Sequence, residues 1–347
     1  MQELYPEIKF IDKGAQGSVF LVKKDGREIA VKQVKTNEET LPETLREVEF
    51  LKSFSNPCHP ALACYYGYTM KNRDFYIEME YVNGPNIHDF LQQHVEDARF
   101  TSHCLALLKD VCSGLAYLHF KNIIHKDIKP ANIIISGIRQ YTEYLDMKDL
   151  RGKDRKVVAM HLENARPKII DVGLACFANS KCPGNAVFQK NAEGGFIEEE
   201  AYLDFLAEKK IPLKCCQGTG GTPMYMAPET WIYTTSYFVS DMFSLGATFY
   251  NSITNKFLYP YAKNPKDVTH AINYTAYPRL ETSSELLNSL INNFLQRDIY
   301  KRLSPDIVMV LINKKVPISD MALSERLLYQ RRFNIDQFKT EKVTKRT

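Results

Sequence analysis

His125-Lys126-Asp127-Ile128-Lys129-Pro130-Ala131-Asn132 is the stretch that decides the fold. A carboxylate, an ammonium two residues on and a carboxamide five residues on stand in one short polar run. Upstream, Leu105, Leu108, Val111, Leu115 and Leu118 recur every three or four residues. That period predicts a long buried helix, which Thr101 or Ser102 can cap. Downstream, Ile133-Ile134-Ile135 is a short apolar run of strand type. A helix delivers the polar run and a buried strand leaves it.

Further out, the N-terminal third reads as strands around one helix. Phe10 to Val22 is an apolar strand, a glycine turn and a second strand, and Glu28 to Val34 alternates as a strand does. Pro42 can open a helix on which Leu45, Val48 and Leu51 keep helical spacing. Asp74 to Val82 is a strand running into a turn at Gly84. The C-terminal part reads as helical. A length of 347 residues suits two domains or one large two-lobed one, and 44% hydrophobic residues suffice for a core. A net charge of +4 is too small to argue for nucleic acid, so a soluble enzyme is the favoured class. Glu3, Glu7 and Lys9 break up the N-terminus as a signal peptide, and no uncharged apolar run approaches membrane-spanning length. The eight cysteines show no small-domain disulfide pattern, so reduced thiols in a cytoplasmic or nuclear compartment are expected.

The opening octet resembles the catalytic loop of the eukaryotic-type serine/threonine protein kinase family, H-R-D-L-K-P-x-N. Other stretches follow in that family's order. Gly14, Gly17 and Val19 fit the last three fixed positions of G-x-G-x-x-G-x-V, with Asp12 at the first. Ile29-Ala30-Val31-Lys32 resembles V-A-I-K, and Glu47 is the preferred helix partner of Lys32, with Glu43 and Glu49 as rivals. Asp171-Val172-Gly173 resembles D-F-G with valine for phenylalanine. Gly221 to Glu229 resembles G-T-x-x-Y-M-A-P-E, the end of an activation segment, and Ser240 to Gly246 matches the central helix signature.

The resemblance implies an α+β, two-lobed protein kinase fold. Residues 1–82 would form an N-lobe, a small antiparallel β-sheet with one helix. Residues 83–317 would form a larger, mainly helical C-lobe with insertions near 137–166 and 177–216, followed by a basic tail over 318–347. It also implies transfer of the ATP γ-phosphate to serine or threonine hydroxyls of protein substrates. Asp127 would be the catalytic base, Lys129 would steady the phosphate, and Thr222 would hydrogen-bond to both. Asn132 and Asp171 would hold Mg2+. Gly14, Gly17, Val19, Ala30, Lys32 and Glu47 would serve the nucleotide. Met79 would guard the back of the adenine pocket, Glu80 and Val82 would offer backbone groups to the adenine edge, and Ile134 would sit beneath it. Glu229 would pair with a buried Arg302, and Asp241 would hold the catalytic-loop backbone.

Several features depart from the pattern. Lys126 replaces an arginine that in many kinases pairs with a phosphorylated activation-segment residue; lysine supplies charge without the bidentate fork. The spacing of 39 positions between Asn132 and Asp171 leaves an excess, roughly Gly137 to Arg166, whose charges suggest a solvated excursion. The activation segment is also long. Glu198 to Glu208 could form an extra amphipathic helix there, and a docking partner for that insertion is one expectation, surface elaboration the plainer one. Cys176, Cys182, Cys215 and Cys216 lie in the segment, but adjacent cysteines without a C-x-x-C pair do not favour zinc. Two rival functions remain. Asp12, Lys126 and Val172 speak for a pseudokinase scaffold, against which the set Lys32, Glu47, Asp127, Asn132 and Asp171 is complete. A small-molecule kinase is opposed by Thr222 to Glu229, a peptide-substrate feature.

Overall fold

Alternation in the first third of the chain becomes an antiparallel sheet of five strands in the computed structural model. The structure describes residues 4–315 except 6, 15–16, 39, 138–143, 149–153, 159–164, 179–214, 219, 260–264, 275–276 and 300. The strands are β1 (Ile8–Gly14), β2 (Gly17–Lys24), β3 (Arg27–Lys35), β4 (Tyr65–Lys71) and β5 (Asp74–Glu80), in spatial order β1-β2-β3-β5-β4. Because successive side chains in a strand point to opposite faces, β3 divides its residues between two environments. Ile29 and Val31 join Tyr5, Val22 and Tyr76 in a small outer cluster. Ala30 and Lys32 belong to the opposite face, toward the rest of the molecule, and both are buried.

The single helix among this lobe's described residues, α1 (Leu41–Phe54), has Pro42 in its first turn, as expected. Its buried stripe is Thr44, Glu47, Val48, Leu51 and Phe54, with Phe50 beside it. Leu45 is not part of that stripe: its side chain is 47% exposed. One residue past Thr44 is about 100° around a helix of 3.6 residues per turn, enough to leave the buried face. Glu47, the preferred partner for Lys32, lies on that face, and Glu43 and Glu49 are exposed.

The second lobe is mainly helical. Its described elements are α2 (Ile87–Gln93), α3 (Phe100–Phe120), β6 (Ile123–Ile124), β7 (Ile133–Ser136), β8 (Tyr144–Lys148), β9 (Asp154–Val158), β10 (Arg166–Ile169), β11 (Cys176–Phe177), β12 (Cys215–Gln217), α4 (Pro228–Tyr233), β13 (Thr235–Tyr237), α5 (Phe238–Thr254), α6 (Pro265–Tyr274), α7 (Glu285–Phe294) and α8 (Pro305–Lys314). Helix α3 begins one residue earlier than Thr101, with Arg99 at its N-cap and no side-chain cap. Its Leu108, Val111, Leu115 and Leu118 are fully buried, with Cys104, Leu107 and Cys112 widening the stripe. These pack with α5, α7 and α8 into a core that continues through β7 and β10 to α1 and β5.

The first insertion is not wholly irregular: β8 and β9 pair as an antiparallel hairpin within it. Of the second, β11 and β12 are the described parts. The helix expected over 198–208 lies outside the described residues, as does the tail 318–347. Where the chain leaves the sheet, Gly84 permits a close approach, since a Cβ there would stand 1.8 Å from the Ile135 carbonyl oxygen.

Beneath the segment that ends at Glu229, Arg302 is fully buried and donates from Nη1 to Glu229 Oε1 at 2.6 Å and from Nη2 to Oε2 at 2.8 Å. Ser240 Oγ adds a donor to Oε1 at 2.5 Å. A buried guanidinium is tolerable only when paired. Replacing Glu229 by Gln should therefore cost about 3–5 kcal/mol of stability. Urea unfolding measures it, and an unshifted midpoint would contradict the assignment.

Candidate active site

The helix–loop–strand order of α3, the octet and β7 is held from below by one carboxylate. Asp241, buried in the first turn of α5, accepts the backbone N–H of His125 on Oδ2 and of Lys126 on Oδ1, both at 2.9 Å. His119 Nε2 lies 2.9 Å from the same Oδ2. The histidine escaped notice in the sequence because it sits in an apolar helical run, where its neighbours explain its burial. Lys126 takes a positive φ of 68°. The turn so made aims Asp127 at the cleft.

Four functional groups converge there. Lys129 Nζ donates to Asp127 Oδ2 at 2.6 Å and to Thr222 Oγ1 at 2.9 Å. Thr222 Oγ1 in turn donates to Asp127 Oδ1 at 2.7 Å. Asn132 Nδ2 donates to the Asp127 carbonyl at 2.8 Å and to Oδ2 at 3.1 Å. With its amide nitrogen so engaged, Asn132 has its carboxamide oxygen to offer elsewhere.

A second cluster stands across the cleft. Lys32 Nζ donates to Glu47 Oε1 at 2.7 Å and to Asp171 Oδ1 at 3.2 Å. Burial by itself would lower the Lys32 pKa, but the Glu47 and Asp171 carboxylates more than offset it and hold the ammonium charged. Burial pushes the Glu47 carboxyl up against the pull of Lys32. For Asp171, burial also pushes upward, but Lys32 and the Gly173 N–H together bring its pKa below the usual carboxylate value. Asp171 adopts φ 58°, and its side chain is 44% exposed, unlike the two groups it meets. A half-exposed carboxylate and a carboxamide oxygen are hard donors of the kind magnesium takes, so Asn132 and Asp171 fit that ion chemically. Among the described residues there is no cluster of three or more His, Cys, Asp or Glu that could hold a metal.

The remaining expected residues line the sheet side. Gly14 pairs with Gly17 at the β1–β2 turn, where a Cβ on Gly17 would meet the Gln33 carbonyl oxygen at 2.3 Å. Val19 lies opposite Lys32, and Ala30 opposite Met79. The Glu80 N–H is given to the Cys64 carbonyl at 2.7 Å. Its side chain accepts from Lys168 Nζ at 2.9 Å, a link between β5 and β10 that no motif announced. Val82 and Ile134 are half-buried, and Ile134 bridges to Asn86. Asp12 is exposed and accepts the Lys13 N–H at 2.7 Å.

The cysteines depart from the sequence reading. Cys58 and Cys64 form a disulfide, as do Cys176 and Cys216, and Cys215 is also disulfide-bonded. Only Cys104 and Cys112, buried in α3, are free thiols among the described residues. The Cys176–Cys216 pair is 40 positions apart, but β6–β11 and β12–β13 pairing brings the two Cα atoms to 6.3 Å. Sulfur already committed to a disulfide is not a thiolate for zinc, so the four-thiolate arrangement is not formed.

A family model for the protein kinase domain matches residues 5–314. The MAP kinase kinase kinase SSK2 of Saccharomyces cerevisiae is 28% identical to the chain, in an alignment that covers 83% of the chain and 17% of SSK2. The chain thus spans less than a fifth of that relative's length. No helix among the described residues is long and apolar enough to cross a membrane.

The balance at Lys32 can be tested directly. Glu47→Gln removes the nearer carboxylate and leaves burial less opposed, so the Lys32 pKa falls. At pH 8 the amine is then more often neutral, and acylation at Lys32, followed by mass spectrometry, should run faster than in the wild type. An unchanged rate would show that Glu47 does not hold the charge.

Proposed function

We propose that this chain, which belongs to the protein kinase domain family over residues 5–314, transfers the γ-phosphate of ATP to serine or threonine hydroxyls of proteins. The observation that carries this reading is the Asp127 carboxylate, oriented by Lys129, Thr222 and the carboxamide of Asn132. Family members in general use ATP with magnesium. In this reading residues 1–82 and 83–317 are the two lobes, and the nucleotide lies between them. Gly14, Gly17 and Val19 cover its phosphates, and Ala30, Met79, Glu80, Val82 and Ile134 surround the adenine.

Asp127 accepts the proton of the attacking hydroxyl, the role of a positioned general base. Lys129 meets the charge that develops on the transferring phosphate, and Thr222 fixes both side chains relative to the bound peptide. Lys32, held by Glu47, would engage the α- and β-phosphates, and Asn132 and Asp171 would hold a magnesium ion. Magnesium, when bound, supplies positive charge to those oxygens. Serine/threonine specificity is supported by Lys129 within Asp-Ile-Lys-Pro-Ala-Asn and by Thr222 before Pro223. The similarity to a protein named as a MAP kinase kinase kinase favours a protein substrate.

Phosphate transfer from labelled ATP to generic protein substrates tests the proposal. Asp127→Asn should reduce the rate by about 100- to 10,000-fold, the usual worth of a positioned base. Equal signal from both proteins would overturn the enzyme reading in favour of a scaffold. Phosphoamino-acid analysis should return phosphoserine and phosphothreonine; phosphotyrosine alone would refute the specificity.

Lys126 Nζ makes a hydrogen bond to the Gly218 carbonyl at 3.1 Å, a contact with backbone that does not depend on a phosphate. Phosphatase treatment should therefore leave activity within about twofold, because Lys126 offers a phosphoryl group no bidentate fork. A loss of tenfold or more would contradict this.

A further inference from the structure

The Cys176–Cys216 bond joins the two ends of the activation segment close to the catalytic loop. Cys176 and Phe177 form β11, which pairs with Ile124 and Ile123 of β6, the strand that leads into His125. The Phe177 ring lies 4.4 Å from the ring of Phe50 on α1, the helix that carries Glu47. On the other side, Cys216 sits in β12 against Ser236 of β13. Two residues past Cys216, Gly218 accepts the Lys126 ammonium, and four further on stands Thr222, bonded to Asp127 and Lys129. The bond thus connects the first described strand after Asp171 to the stretch that places Thr222.

The non-covalent anchors at this point are the short β12–β13 pairing, the Gly218 N–H to the Thr234 carbonyl and the Thr222 hydrogen bonds. Lys126 stands where an arginine fork would otherwise bind a phosphorylated residue, and the hydrogen bond it makes here is to one backbone carbonyl. A stretch held by three paired strand positions and a few hydrogen bonds opens more readily than one that is also closed by a covalent bond. We propose that the Cys176–Cys216 bond is a redox-labile clamp that positions Thr222 and the peptide-binding end of the segment, in place of a phosphate–arginine pair. This rests on the protein-kinase reading above. Both cysteines act as positioning residues, through Gly218 and Thr222, and neither touches the reacting atoms.

The sulfurs differ in access: Cys216 is buried, and Cys176 is half-buried. A small dithiol therefore attacks at Cys176. Its first thiolate forms a mixed disulfide with the Cys176 sulfur and expels Cys216 as thiolate. Its second thiolate then closes the dithiol into a cyclic disulfide and releases Cys176 as thiolate. The dithiol is oxidised by two electrons, and both cysteines are reduced and take up protons according to pH. The cyclic or another small disulfide reverses the exchange.

Dithiothreitol is the probe for this test, applied to the full chain. Reduction should raise the peptide KM by about tenfold, leaving kcat at saturating peptide and the KM for ATP unchanged, because a competent fraction of about one tenth scales apparent affinity by that fraction. Reoxidation should restore the low KM. Cys176→Ser/Cys216→Ser should show the high KM in both redox conditions. Cys58→Ser/Cys64→Ser, and separately Cys215→Ser, should keep the response; if either abolishes it, the assignment to Cys176–Cys216 is wrong. Amide hydrogen exchange over 217–222 provides a readout that needs no phosphate transfer, and it should quicken on reduction of the wild type, so a folding defect in a variant does not obscure the result. Faster exchange with no transfer in any condition would overturn the kinase reading and leave the clamp standing. Unchanged peptide KM together with unchanged exchange would overturn the clamp.

Discussion

An ammonium removed from water needs carboxylates against it, and Lys32 has two that come from different parts of the chain. Glu47 arrives on α1 and Asp171 at the end of β10, so the charge balance at one atom requires the sheet, the helix and the segment after β10 to be in place together. The register of β3 sends Lys32 toward the cleft while Ile29 and Val31 face the outer cluster. A slip of one residue would exchange those faces and leave the ammonium among apolar side chains. The position of α1 follows in turn, because Glu47 cannot reach Lys32 unless Val48, Leu51 and Phe54 are packed in the core.

The catalytic loop repeats this logic with a different group. Asp241 serves two backbone amides and the His119 ring from the start of α5, so the loop rests on a helix buried along most of its length rather than on its own turns. Glu229 and Arg302 do the same for the stretch from Gly221 to Glu229. In each case a buried charge, costly if left alone, ties a loop of functional residues to a rigid helix. The chemistry on the cleft side needs loops, and the pairings beneath make those loops as well placed as helices.

Departures from the family pattern fall where such pairings are weak. Lys126 lacks the arginine fork, and the disulfide between Cys176 and Cys216 lies beside it. In the chain-entropy account, closing a loop of 40 positions is worth about 4 kcal/mol, against about 1 for an ordinary hydrogen bond. A covalent anchor therefore outweighs the hydrogen bond from the Lys126 ammonium to Gly218. Val172 keeps the buried place of the D-F-G ring without its size, and it joins the main core directly.

Much of the fold is legible in the sequence. The periods of two and 3.6 marked the strands and α3, because spacing along the chain translates directly into faces and turns; the two-lobed fold came from the resemblance of the octet and its ordered companions to the protein kinase family. Pro42 located the start of α1 for the same local reason. Other features depend on neighbours remote in sequence. Leu45 matched a helical period yet faces solvent, since the period does not say which stripe the core takes. His119 looked like part of an apolar run until α5 brought Asp241 beside it, and Lys168 met Glu80 only when β5 and β10 were set together. The cysteines show the division most sharply: the sequence suggested free thiols, and the separate pairings of β11 with β6 and of β12 with β13 set Cys176 beside Cys216, 40 positions on. What the sequence by itself determined was local geometry and the inventory of reactive groups. Which groups face one another was decided by the tertiary structure, because contact depends on packing between elements and not on separation along the chain.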